Sequence, residues 1–245
     1  LAVGSAIWRG IALGSGVSNV VSSGFDRLDH ELPGTGWPCG SCTEILQAQP
    51  SVAEWRLLAP AIKEVVAGGK DVVVVGPPKV PHLPGLQRIG LDERRLVWIQ
   101  ADTPAERLWA TEQLVKANAA GLLLSWLPQA RQEQIRRLQV CAQASEGLVF
   151  LCRPITAQHE SSAAPLRALV SFGIDWELRV RLLKRKGPTH DGDVVIQSMP
   201  GGLQSIMTPR LMRPSAQMPT WQSSEVDVVG STAPERSSRR RAEAH

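Results

Sequence analysis

Asp71-Val72-Val73-Val74-Val75-Gly76 is apolar at every position between its charged and glycine ends, and four further short runs are largely apolar: Thr43–Leu46, Leu96–Gln100, Leu122–Leu127 and Leu148–Cys152. A strand that is apolar on both faces must be covered on both, which is the condition of a parallel sheet sandwiched between helices. The segments between the runs supply those helices. Ser51 with Glu54 three residues on has capping-box spacing, and Val52, Trp55, Leu58, Ala59, Ile62, Val65 and Val66 then fall on one face, up to Gly68-Gly69, with Pro60 predicted to kink the helix. Thr103-Pro104-Ala105-Glu106 repeats the signal and predicts a helix to about Ala119. A third spans about Gln129–Ser145. After Cys152 the period shortens towards two: Leu166–Phe172, Trp176–Leu183 and Val194–Ser198 read as antiparallel strands extending one edge. The predicted class is α/β, a mostly parallel central sheet flanked by helices with antiparallel strands at its C-terminal edge.

The 245 residues suffice for one main core without disulfides or a structural metal. With 27 Lys and Arg against 23 Asp and Glu the net charge is +4, far from that of a dedicated nucleic-acid coat. No run approaches the ~20 apolar residues of a membrane span, and residues 1–22 lack the pattern of an export signal. The four cysteines are then expected free in a reducing, cytoplasmic setting, and no membrane association is expected. Three zones emerge: an N-terminal extension at 1–22, a folded domain at 23–213, and a polar, basic tail at 214–245 predicted to be flexible.

Ser23-Gly24-Phe25-Asp26-Arg27-Leu28-Asp29, the turn Pro33-Gly34-Thr35-Gly36 and the strand Thr43-Glu44-Ile45-Leu46 resemble the run that enters the nucleotide-binding domain of RecA-type recombinases. The resemblance implies a RecA-like three-layer fold. A phosphate loop should follow, because glycines let main-chain N–H groups cradle phosphate while a Lys and a hydroxyl hold the β/γ oxygens and magnesium. The chain instead reads Gln47-Ala48-Gln49-Pro50-Ser51-Val52-Ala53-Glu54, so the position is degenerate at Gln49, Pro50, Ser51 and Glu54. The strand that should end in a metal-holding Asp reads Leu122-Leu123-Leu124-Ser125-Trp126. No nucleotide site, catalytic residue, metal or cofactor is therefore expected.

Ile7-Trp8-Arg9-Gly10, Glu31-Leu32-Pro33-Gly34-Thr35-Gly36-Trp37-Pro38, Glu54-Trp55-Arg56-Leu57-Leu58-Ala59-Pro60-Ala61, Leu123-Leu124-Ser125-Trp126-Leu127-Pro128 and Leu182-Leu183-Lys184-Arg185-Lys186-Gly187 together resemble the ImuA family, over roughly residues 7–210. These are RecA-like proteins associated with translesion DNA synthesis. The resemblance implies a non-catalytic accessory protein of the SOS response to DNA damage, an adaptor between RecA and an ImuB-like protein, beside an error-prone polymerase III α-type subunit.

Two alternatives stand beside it. A weak DNA-binding module would use the 153–165 loop, with Arg153 and His159, and the 179–186 patch, with Arg179, Arg181, Lys184, Arg185 and Lys186; Arg239, Arg240 and Arg241 are candidate contacts in the tail. A degenerate ATPase is the other. Cys39 and Cys42 form a Cys-x-x-Cys, but the pair follows a turn and enters a strand rather than opening a helix, so thiol activation by a helix N-terminus is not expected. Cys141 and Cys152 lack the spacing that would complete a zinc site.

Overall fold

Each of these short runs forms a strand of one eight-stranded sheet. The computed structural model describes residues 19–188 and 191–199, together with 203 and 207. Ten strands are described: β1 (Val20–Val21), β2 (Trp37–Pro38), β3 (Cys42–Gln47), β4 (Val72–Val75), β5 (Leu96–Ile99), β6 (Leu122–Trp126), β7 (Leu148–Pro154), β8 (Leu166–Phe172), β9 (Glu177–Lys184) and β10 (Val194–Gln197). The large sheet runs β10-β9-β8-β3-β7-β6-β4-β5. All neighbours from β8 to β5 pair in parallel, and β9 and β10 are added antiparallel. Leu166–Phe172 thus departs from the sequence reading. It is antiparallel only to β9 and parallel to β3, because the crossover through the 3-10 turn Ile155–His159 returns the chain in the direction of β7.

The valines of β4 show why such runs carry no polar face. Val72 and Val74 enter one core with Leu57, Leu58 and Ile62 of helix α2 (Ala53–Ala67), Leu28 of α1 (Asp26–Glu31) and Leu86 of α3 (Leu83–Arg88). Val73 and Val75 enter the other core with Leu108 and Val115 of α4 (Pro104–Lys116) and Ile135 and Leu138 of α5 (Gln132–Ala142). At about 1.5–3 kcal/mol per fully buried aliphatic side chain, covering both faces is what stabilises a strand of four consecutive valines.

The capping box predicted at Thr103 forms: its Oγ1 accepts from the Glu106 N–H at 3.2 Å, and the Glu106 carboxylate accepts from the Thr103 N–H at 2.9 Å. The box predicted at Ser51 does not form, since Ser51 has φ 75° and its Oγ is buried without a partner. Helix α2 runs on through Pro60. A proline has no N–H to offer the carbonyl four residues back, and here Ser198 Oγ donates to that carbonyl, Arg56 O, at 3.0 Å. Pro60 also presses on Gly24 (φ 77°), where an added Cβ would lie 2.2 Å from the proline Cβ.

Val20-Val21 pairs antiparallel with Trp37-Pro38, so these residues belong to the folded body. The pairing closes over Trp37, which is fully buried and meets Phe150 edge-on at 5.4 Å. The expected tail at 214–245 and the remainder of the N-terminal extension lie outside the described residues.

Candidate functional site

In an open α/β sheet a ligand is received beyond the carboxyl ends of the strands, where successive connections leave to opposite faces. Here β3 and β4 lead to helices on one face, while β6 and the segment after β7 lead to the other. The connection from β3 into α2 is the position marked by the phosphate-loop resemblance.

That position is filled from within. The Glu54 carboxylate is fully buried and accepts from the N–H groups of Ser51 at 2.6 Å and Val52 at 3.1 Å, and from Trp126 Nε1 at 2.8 Å. Donors at the entrance to a helix form a natural anion seat, and the anion present belongs to the chain itself. Trp126 comes from the end of β6, and its ring stands 6.0 Å from that of Trp55. One residue earlier, Ser125 is buried and bonded to Thr111 Oγ1 at 2.6 Å. Gln49 and Pro50 are exposed. Among the described residues, no group of three or more His, Cys, Asp and Glu could hold a metal ion.

The basic candidates separate. Arg153 is buried: its side chain is only 2 % exposed and bonds to Glu44 at 3.1 Å, Glu160 at 2.6 Å and Ala130 O at 2.7 Å. Glu44, itself fully buried, also accepts from Arg167 Nε at 2.5 Å, and Arg167 reaches the Ala157 and Glu160 carbonyls. Arg153 and Arg167, shared between the buried Glu44 carboxylate, the exposed Glu160 carboxylate and main-chain oxygens, pin the 155–160 segment. His159 is exposed at the end of that turn.

Arg179 and Arg181 do share the outer face of β9, as period two requires, with Arg181 held by Asp193 at 2.7 Å and Arg179 4.0 Å from Glu177. Lys184 donates to Ser162 O at 2.8 Å. Arg185 turns inward to the Glu31 carboxylate at 2.8 Å and also to the Glu31 main-chain oxygen, whereas Lys186 is exposed. The run of basic residues is therefore partly neutralised by carboxylates, of which Glu31 is distant in sequence. Arg239, Arg240 and Arg241 lie outside the described residues.

Cys42 is buried in β3, and burial pushes its thiol up to about 12; burial likewise raises Cys39, in the preceding turn, and Cys152. Neither member of the Cys-x-x-Cys is an activated nucleophile.

Sequence reasoning missed an apolar rim. Of ten large apolar side chains exposed among the described residues, six surround the carboxyl ends of β3, β4 and β8: Val52, Val80, Leu83, Phe172, Ile174 and Trp176. Trp176 stands in the left-handed region at φ 67°, after Asp175 at φ 50°, in a tight β8–β9 turn where glycine is the usual occupant of the second position. Its carbonyl is held by Ser198 N–H and by the Arg56 guanidinium, which stacks over Phe172 at 5.5 Å. Only the bulky residues in Val80-Pro81-His82-Leu83 and Phe172-Gly173-Ile174-Asp175-Trp176, sitting where turns belong, could have signalled this in the sequence.

No protein-family model matches the chain, and no curated protein matches it.

Proposed function

We propose that the chain is a non-catalytic, RecA-like accessory protein of SOS-induced, error-prone translesion synthesis, a cytoplasmic adaptor between RecA and an ImuB-like protein in an assembly with an error-prone polymerase III α-type subunit. The observation that carries the non-catalytic part is the Glu54 carboxylate seated on the N–H groups at the start of α2. A phosphate entering there would meet a fixed negative charge. The apolar rim at the same strand ends supports a protein-binding role, since exposed apolar patches with polar surroundings mark interaction surfaces. The identity of the partners rests on the sequence resemblance.

Capture of purified RecA and ImuB by the immobilised full chain tests the adaptor reading, and capture of neither overturns it. Titration with ATP and magnesium followed by calorimetry addresses the ATPase alternative: no heat is expected, and micromolar binding overturns the non-catalytic reading. The DNA-binding alternative predicts affinity with a steep salt dependence that disappears when Arg179, Lys184 and Lys186 become Ala.

A further inference from the structure

Between α2 and α3, on the rim just described, lies a groove of about 320 Å³. Its floor is Trp55, Ala59, Leu86, Ile89 and Met199, and Arg56, Lys79 and Val80 stand along its edge. Val80 is 72 % exposed, more than any other large apolar side chain among the described residues. The lining contains two permanent cations and no carboxylate. Arg56 directs its side-chain hydrogen bonds to the main-chain oxygens of Ser198 and Trp176, both uncharged acceptors.

We propose that this groove receives a segment of a partner protein that seats a bulky apolar side chain on the Trp55, Leu86 and Ile89 floor and sets flanking carboxylates against Lys79 and Arg56. The inference rests on the protein-binding reading above and names the chemistry of the partner. Apolar anchors in a small pocket supply most of the affinity in such contacts, and complementary charge at the edge supplies rate and discrimination. The receiving surface is braced in advance: Trp55 stands against Trp126, Arg56 is tied to two carbonyls, and His82 Nδ1 accepts from Gly85 N–H at the entrance to α3. A braced surface loses little conformational freedom when it binds. A nucleotide is the poorer fit, because the neighbouring anion seat already holds Glu54.

The test uses the full chain and fluorescence anisotropy of a labelled octapeptide with a central leucine–phenylalanine pair flanked by aspartates, alongside the same peptide with lysines in place of the aspartates. The aspartate peptide should bind, weaken with added salt, and lose about tenfold in affinity on Lys79→Glu or Val80→Glu, a factor equal to about 1.4 kcal/mol. Val140→Glu, an exposed site on α5, should leave binding unchanged. Equal binding of the lysine peptide, no anisotropy change at low salt, or an equal loss in V140E overturns the proposal. If the aspartate peptide binds as expected while the unaltered chain captures neither RecA nor ImuB, the failure strikes the adaptor reading alone.

Discussion

Ser51-Val52-Ala53-Glu54 and Thr103-Pro104-Ala105-Glu106 carry the same capping pattern, yet only the second caps as the pattern predicts. At α4 the partners are local and exposed: hydroxyl to N–H and carboxylate to N–H within one turn. At α2 the carboxylate is buried and shared with an indole 72 residues away, the hydroxyl has no partner, and the main chain adopts φ 75° at Ser51. A four-residue motif fixes a helix start when solvent surrounds it. When the same motif lands at the mouth of a sheet, the tertiary environment decides which of its two groups is used.

Five substitutions and one pH titration sharpen this contrast. Glu54→Ala leaves the Trp126 indole N–H buried without an acceptor and should cost about 3 kcal/mol in urea denaturation, against a clearly smaller loss for the exposed Glu106→Ala. Equal losses would break the distinction. Thr103→Ala should cost about 1 kcal/mol, while Ser51→Ala, with no bond to lose, should stay within about 0.5 kcal/mol. Ser51→Gly should raise the unfolding midpoint slightly, gaining roughly 0.5 kcal/mol once relief of the left-handed conformation is set against the extra freedom of the unfolded chain.

The smallest effect is a pH dependence. Hydrogen bonds from Thr103 hold the Glu106 carboxyl below its ordinary value. A group lowered on folding contributes stability that is present in full above its unfolded pKa and is lost as pH falls through the folded one. Thr103→Ala should therefore flatten part of the acid limb of a stability-against-pH curve, and an unchanged limb would count against the box.

The strands were legible because consecutive valines and leucines satisfy cores on both faces, and α4 because its cap is local. Sheet order was not, since β3 finds its neighbours in β7 and β8, about a hundred residues later in the chain. The same distance hid the fate of the cations. Arg153 reads as a loop cation until Glu44, 109 residues earlier, is placed beside it, and Arg185 belongs to a basic run until Glu31 meets it from 154 residues away. The closed anion seat was half visible: the sequence showed that glycine and lysine were missing and that an acid stood near the helix start, but not that Trp126 would hold that acid in place.

The central position of β3 also bears on how the chain matures in time. Both of its hydrogen-bonding edges are filled by strands that leave the ribosome long after it. Closing contacts over such separations is slow, because chain entropy is lost before any pairing offsets it. From its own synthesis until β7 follows about a hundred residues later, the nascent chain carries this strand with both edges open, the condition in which strands pair with the wrong partner. Protection of β3 amides against hydrogen exchange should therefore begin only after Pro154 and be complete only once residues through Phe172 have been made.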